Sequence, residues 1–357
     1  MKILNKIIAL VIVCVMAMSL TGCHKKGEIA VTINGYEFTS AYYMAAFLNA
    51  YSEAQNIVYN SLSEEELSSN KEIDYTSKKV ENKKFETWVK DTAIDSLKQI
   101  AYFKTKCDEN KLKLSEDEIA NAESYASFYW QSYGYSQFFE PNGVSFETYK
   151  QNMLDGNYAA LYFEHLYGED GEKEIAAKDV KSKLYKDFIL ANVLEVTFSE
   201  ETDAEKKKIK EKFDGYLKDL ESGKKTFEQI YIEYNDINEE DHKHEDKDGP
   251  KDAHASILGA EGTGYEHEYF DKIKKLDNGE IKLFKKDNDA GYILVIKQDI
   301  KADKYYLKNM DMTIRHLLKD DEFNKDAEAA ALKLNAEIDK YAVNQFKVKK
   351  IVEPSYS

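Results

Sequence analysis

Three histidines in an acidic stretch are the side chains of this sequence best suited to binding a metal ion. They are His242, His244 and His254, and the acidic residues beside them are Glu245, Asp246, Asp248 and Asp252. Imidazole and carboxylate groups together suit Zn²⁺ and similar ions. The spacing, however, matches no closed structural zinc motif, and no cysteine lies nearby. We therefore expect a solvated, charged loop and assign neither a metal nor another cofactor.

Other residue patterns that would indicate an enzyme are absent from the sequence. It has no serine–histidine–acid set, no Walker loop and no dinucleotide fingerprint. Gly262-Thr263-Gly264 superficially resembles a phosphate loop, but no Lys-Ser or Lys-Thr pair follows it. Catalysis by these mechanisms is not expected.

Cys23 follows an N-terminal segment that is typical of a secretory signal. Lys2 and Lys6 flank the start of an apolar run over 7–18, which is too short for a good membrane-spanning helix. Leu20-Thr21-Gly22-Cys23 resembles the bacterial lipobox, in which the cysteine takes a diacylglycerol group. The resemblance implies cleavage before Cys23 and anchoring to a bacterial membrane, most naturally on the outer face of the cytoplasmic membrane. The alternative is an ordinary signal peptide with an incidental cysteine.

The remaining cysteines exclude an intramolecular disulfide in the mature chain. Cys14 leaves with the signal, and Cys23 is consumed by the lipid, so only Cys107 remains. The mature chain must be stabilised by its core, and it is long enough for two or three domains.

Charge and aromatic content indicate the kind of partner. The formal charge of −16 argues against nucleic acid, because its phosphates are negative as well. The chain has 26 tyrosines, and Tyr129, Trp130 and Tyr133 lie in an aromatic cluster with Tyr135, Phe138 and Phe139. Such a cluster is either core or the wall of an apolar cleft for unfolded segments. Both interpretations stay open.

The hydrophobic pattern predicts helices on both sides of a mixed module. A hairpin with an Asn34-Gly35 turn comes first. Two predicted helices begin at Thr39 or Ser40 and at Ser115. Seven more are predicted over 85–110, 146–167, 177–188, 204–222, 227–234, 305–318 and 322–341. The predicted strands are 189–198, 281–284, 292–297 and 346–352. This order predicts an α+β protein.

The same order predicts a helical domain that is interrupted by an inserted module. The predicted segments are a signal peptide at 1–22, a tether at 23–28, an N-terminal helical domain at 29–187, the α+β module at 188–300, and C-terminal helices and a strand at 301–357. The last segment is expected to complete the helical domain.

Several motifs resemble the PrsA and SurA type of exported foldase. Val31-Thr32-Ile33-Asn34-Gly35, followed by the helix at Thr39, resembles the start of that family's chaperone domain. The segments 220–223, 226–230 and 233–236 resemble the helix pair of its parvulin-type (PpiC) module, and 278–281 and 291–296 resemble its closing strands. The resemblance implies a helical chaperone domain with an inserted parvulin-like module. Its partners would be unfolded or newly exported polypeptides.

The chain departs from this family at the residues expected to catalyse prolyl isomerisation. Active parvulins usually carry two histidines where this chain has Val193 and Ile293. Isomerisation must lower a barrier of about 18–20 kcal/mol, for which polar groups around the carbonyl are needed. We therefore expect weak or absent peptidyl-prolyl isomerase activity and assign no catalytic residue. The expected peptide-binding residues are Phe227, Tyr231, Phe270, Tyr292, Tyr129, Trp130 and Tyr133.

Three functions remain open at this point. The first is a membrane-anchored chaperone whose parvulin module has lost catalysis, and the sequence favours it. The second is an active parvulin-type isomerase. The third is a lipid-anchored binding or scaffold protein.

Overall fold

The computed structural model describes residues 28–68, 73–238, 242 and 249–354. The described residues divide into two compact units, one formed by those up to Leu166 and from Asp321 onward, the other by those from Tyr167 to Asp320. We name them the helical unit and the α+β unit. The predicted lipobox lies outside the described residues, and the predicted boundaries at 188 and 300 remain predictions.

Helices dominate the described chain. They are α1 (Ser40–Asn60), α2 (Glu64–Ser68), α3 (Phe85–Glu109), α4 (Glu116–Ser132), α5 (Tyr135–Phe139), α6 (Phe146–Tyr167), α7 (Ala177–Asp187), α8 (Asp203–Glu221), α9 (Phe227–Asn235), α10 (Phe270–Lys274), α11 (Lys304–Asn309), α12 (Asp311–Ala331) and α13 (Lys340–Asn344). The strands are β1 (Ile29–Ile33), β2 (Tyr36–Thr39), β3 (Lys79–Val80), β4 (Lys83–Lys84), β5 (Phe188–Thr197), β6 (Ala255–Gly259), β7 (Ile281–Lys285), β8 (Gly291–Gln298) and β9 (Ala336–Ile338). The predicted α+β class is confirmed.

Side-chain caps start the helices where the sequence predicts them. The Thr39 hydroxyl accepts a hydrogen bond from the Tyr42 backbone N–H at 3.2 Å, before α1. Ser115 and Glu118 form a reciprocal capping box at the start of α4. These bonds satisfy backbone donors that the first helical turn leaves unpaired.

Both ends of the chain build the helical unit. Its three-stranded sheet has the order β2-β1-β9, and β9 comes from the C-terminal segment. Val31 of β1 pairs with Ile338 of β9 in antiparallel register. The helical domain formed by N- and C-terminal segments is therefore present, as the fold class predicted.

The C-terminal elements differ in detail from the prediction. The predicted helices 305–318 and 322–341 are wrong in their bounds. The first is divided between α11 and α12, and α12 continues without a break into the second and ends at Ala331. The residues after Ala331 pair instead with β1, since an available strand edge outweighs weak helix propensity. The strand predicted at 346–352 is also wrong, because a 3₁₀ turn occupies Val348–Lys350. Its alternation reflects the packing of Phe346 and Val348 against the core.

The α+β unit is built on an antiparallel sheet of order β6-β5-β8-β7. Side chains of successive residues point to opposite faces of such a sheet. On one face, Leu194 and Leu294 pack against α8 and α9. On the other face, Ile293 and Val295 pack against Phe270 of α10. Strand β6 was not predicted, because its short sequence Ala-Ser-Ile-Leu-Gly carries little strand signal.

Candidate functional site

The two positions expected to hold the parvulin histidines lie in neighbouring strands. Val193 of β5 pairs with Val295, and Ile293 of β8 pairs with Glu195. Ile293 is fully buried in an apolar cluster, and Val193 packs against that cluster. Both side chains therefore contribute to apolar packing on this face of the sheet.

The peptide-binding residues predicted for this unit do not share one pocket. Phe270 lies in the cluster of Ile293. Phe227 and Tyr292 are buried on the opposite face of the sheet, and Tyr231 packs against them there. Tyr292 and Ile293 are consecutive in β8, so their side chains point in opposite directions.

A polar group of several side chains, which the sequence analysis did not identify, borders the face of the sheet that carries Val193. The Lys286 ammonium forms ion pairs with Glu195 and with Glu268, the latter at 3.2 Å. It also donates to the Thr197 hydroxyl at 2.7 Å. Burial would lower the pKa of Lys286, but its hydrogen bonds to the two glutamates outweigh burial and raise that pKa. Lys286 therefore stays charged near neutral pH and is a poor proton donor.

Strand alternation could have revealed part of this polar group. Glu195 follows Val193 by two residues, so both face the same side of the sheet. Lys286 and Glu268 come from loops, and strand periodicity does not place loop residues.

The aromatic cluster of the helical unit has an exposed layer. Tyr125, Phe128 and Tyr133 are 60%, 51% and 63% exposed, and Tyr135 is 40% exposed. The rings of Phe128 and Tyr133 have centroids 5.5 Å apart, and those of Tyr129 and Tyr133 are 5.3 Å apart. We call Tyr125, Phe128, Tyr129, Tyr133 and Tyr135 the aromatic surface.

A tight turn positions two of these rings. Gly134 links α4 to α5 with φ +70°, in the left-handed region that glycine adopts without strain. Tyr133 and Tyr135 flank this turn, and the rings of both contact the ring of Tyr129. The ring centroids of Tyr129 and Tyr135 are 5.8 Å apart. The turn therefore brings rings from two helices onto one surface.

Buried aromatic side chains support the surface from below. Trp130, predicted as a peptide-binding residue, is buried with its ring 5.2 Å from Tyr149 and 6.2 Å from Phe139. Tyr149 in turn lies 5.9 Å from exposed Tyr135. The cluster therefore has both buried and exposed members, and its role in peptide binding stays a prediction.

Two grooves lie beside the aromatic surface. One, of about 450 Å³, is lined by Glu118, Asn121, Ala122, Tyr125, Tyr129, Met153, Asn157 and Ala160. The other, of about 580 Å³, is lined by residues that include Asn49, Glu53, Asn56, Tyr133, Tyr135, Phe138 and Pro354. Each groove combines aromatic walls with amide and carboxylate groups at its rim, and could accept an extended segment with mixed side chains.

Two of the three candidate histidines converge. The Nε2 atoms of His242 and His254 are 3.2 Å apart, and Glu228 lies close enough to share an ion with them. His244 lies outside the described residues. Cys23 does so as well.

None of the helices in the described part of the chain is both long and apolar enough to cross a membrane. This finding leaves the predicted anchor at Cys23 untested.

No family model matches the chain, and the comparison with curated proteins finds no match. Among solved structures, the chain is similar to the foldase protein PrsA from Lactococcus lactis, with 13% identity, 88% of this chain and 96% of that chain covered, and a TM-score of 0.41. It is also similar to PrsA from Streptococcus pneumoniae, with 12% identity, coverage of 70% of this chain and 86% of that chain, and a TM-score of 0.39. For PrsA from Bacillus subtilis the identity is 19%, the coverage is 69% of this chain and 85% of that chain, and the TM-score is 0.33. The foldase resemblance stated from the sequence is thus found among solved structures.

Proposed function

We propose that this chain is a membrane-anchored extracytoplasmic chaperone of the foldase type, which binds unfolded or newly exported polypeptides. The observation that carries the proposal is the aromatic surface of the helical unit. Unfolded chains expose apolar side chains, and tyrosine and phenylalanine rings bury large areas at low entropic cost. Binding through such a surface is shallow and reversible, which suits a protein that must release its clients without ATP.

The rim of the aromatic surface supports this proposal. Glu118 borders one of the two grooves beside it, and Glu53 and Glu353 border the other. Charged groups around an apolar patch keep the free protein soluble while the patch stays available. The net charge of −16 acts in the same direction.

Weak or absent prolyl isomerase activity is part of the proposal. Val193 and Ile293 place apolar side chains where a polar pair is expected, and Lys286 is held charged by its glutamate partners. The predicted parvulin-like module at 188–300 then contributes to the scaffold rather than to catalysis.

The segment that ends in Leu20-Thr21-Gly22-Cys23 supports the proposed location. A lipid on Cys23 would hold the protein on the outer face of the cytoplasmic membrane, where exported chains emerge. Firm attachment requires more than one acyl chain, as a diacylglycerol group provides.

An active isomerase is the second candidate, and the polar group around Lys286 favours it. Val193 and Phe284 are only partly buried where they pack against the cluster of Ile293 and Phe270, and they offer an apolar surface suited to a proline ring. The Lys286–Glu195 pair borders the same face of the sheet. A cation near the prolyl carbonyl could replace part of the missing polar network.

Two assays on the same preparation separate the candidates. The chain from residue 25 onward, without signal peptide or lipid, is tested for suppression of client aggregation and for protease-coupled prolyl isomerisation. Our proposal predicts suppression with an isomerisation rate far below that of an active parvulin. A rate comparable to an active parvulin would establish the second candidate. Loss of both activities would leave a binding or scaffold role.

A further inference from the structure

Three side chains of the α+β unit, of types that can bind metal ions, lie close together although they are distant in sequence. Glu228 belongs to the first turn of α9, and His254 immediately precedes β6. His242 lies between them along the chain. One ligand atom from each of the three residues lies within 4.8 Å of the other two. The sequence analysis expected a solvated loop here, because the spacing of these residues matches no linear zinc motif.

The histidine rings are held by packing. The His254 ring lies 4.6 Å from the ring of Tyr231 and 5.1 Å from that of His242, and the two imidazole planes are only 18° apart. Phe227, which belongs to the same helix as Tyr231, has its ring centroid 6.3 Å from that of His254. Rings confined in this way lose little further freedom when they bind an ion.

The backbone of His254 is anchored to the sheet. Its N–H donates to one carboxylate oxygen of Asp252 at 2.9 Å. The other oxygen of Asp252 accepts from the Asn192 side-chain amide at 3.0 Å, and Asn192 is fully buried in β5. Ligands supported by such outer contacts keep the geometry that a metal requires.

The distance between the two ring nitrogens matches a shared ion. Nitrogen atoms bound to one tetrahedral Zn²⁺ at about 2.0–2.1 Å are about 3.3 Å apart. The Nε2 atoms of His242 and His254 are 3.2 Å apart. A direct N–H···N hydrogen bond would have a similar length, so the metal titration described below distinguishes the two arrangements.

We propose that His242, His254 and Glu228 bind a divalent transition-metal ion of the Zn²⁺ class. Two imidazoles and one carboxylate form a borderline donor set that suits this ion and leaves a fourth position for water. The ion would connect the first turn of α9 to the residue before β6. It would thereby stabilise the α+β unit, since a ligand that binds only the folded state favours that state.

Metal titration tests the proposal on the chain from residue 25 onward, which also removes His24 from the measurement. After treatment with a chelator, the protein is titrated with Co²⁺, whose visible absorption reports tetrahedral coordination, and with Zn²⁺ by calorimetry. We expect one ion per chain and a higher melting temperature with Zn²⁺. Failure to bind one ion per chain would overturn the proposal.

Single substitutions locate the ion. His242→Gln and His254→Gln should each weaken Zn²⁺ binding by at least about tenfold, because each removes one of three ligands. Glu228→Gln should weaken it less. His316→Gln is the matched control, since His316 hydrogen-bonds Asp320 at 2.7 Å elsewhere in the unit. Circular dichroism of the metal-free variants confirms that they are folded. Equal binding by His254→Gln and His316→Gln would overturn the proposal, whatever the chaperone assays show.

Discussion

Arg315 is the only arginine of the chain, and only 3% of it is exposed. Its guanidinium donates to Asp311 at 2.6 Å and to the backbone carbonyls of Tyr167 and Ile175 at 2.6 and 3.2 Å. These bonds join α12 to the end of α6 and to the segment before α7. A lysine ammonium has no planar fork and cannot make this set of contacts from one position.

Arg315→Lys should therefore destabilise the α+β unit by about 2–4 kcal/mol, because carbonyls that lose their donor remain buried. Urea unfolding followed by far-ultraviolet circular dichroism measures this loss. Exposed Lys178 on α7 provides the control, and Lys178→Ala should change stability by less than about 0.5 kcal/mol. A similar small change for Arg315→Lys would mean that these bonds contribute little.

At the scale of elements, the C-terminal segment completes the core of the helical unit. Strand β9 pairs with β1, and the Asp339 N–H donates to the Ala30 carbonyl at 2.9 Å. The Phe346 ring lies 5.5 Å from Tyr43 and 6.4 Å from Phe47, both fully buried in α1. The N-terminal and C-terminal segments of the helical unit are therefore expected to fold together.

Phe346→Ala should destabilise the helical unit by about 2–4 kcal/mol, because it removes a ring from the core around α1. Tyr341→Ala is the matched control, since Tyr341 is 75% exposed in the same segment. Both tryptophans of the chain, Trp88 and Trp130, lie in the helical unit, so tryptophan fluorescence follows its unfolding specifically. Equal stabilities of the two variants would contradict this role of the segment.

The sequence predicted elements whose signals are local and missed those that depend on distant partners. The Asn34-Gly35 hairpin and the capped helices α1 and α4 form where their residues predict. Strands β6 and β9 form because a neighbouring strand edge is available. The same distinction applies to the sites. Local motifs were enough to predict the roles of Val193 and Ile293, and that assignment stays a prediction. The proximity of Glu228 to His254 depends instead on how α9 packs beside β6.

At the scale of the whole molecule, buried tyrosines should make the protein sensitive to alkali. Burial raises the pKa of Tyr149 to about 12, and burial together with nearby carboxylates raises those of Tyr36 and Tyr306 to about 12. In the unfolded chain, these phenols have pKa values of about 10. Above that pH the unfolded state loses protons that the folded state keeps. Stability contributed by these groups is therefore full below about pH 10 and falls as the pH rises towards 12.

Urea unfolding at a series of pH values between about 8 and 12 tests this expectation. The free energy of unfolding should decline mainly above pH 10. Tyr306→Phe removes one of the titrating groups and should make the decline shallower, even though it also removes a hydrogen bond of 2.8 Å to the Ala255 carbonyl. An unchanged slope in this variant would show that Tyr306 does not contribute to the alkaline transition.

The proposal of chaperone function depends above all on the aromatic surface. Tyr125, Phe128 and Tyr133 are all more than half exposed, so replacing them with serine should leave the fold intact. Tyr59 and Tyr341 are exposed aromatic residues outside that surface and provide a matched control. Circular dichroism and melting temperature establish that both variants are folded.

The most direct measurement compares these two variants with the parent chain in suppressing aggregation of an unfolded client. The account predicts that the triple variant Tyr125→Ser, Phe128→Ser, Tyr133→Ser needs at least about fivefold more protein for the same suppression, because central aromatic residues dominate binding energy. The double variant Tyr59→Ser, Tyr341→Ser should match the parent. Equal suppression by the folded triple variant would contradict the assignment of client binding to this surface.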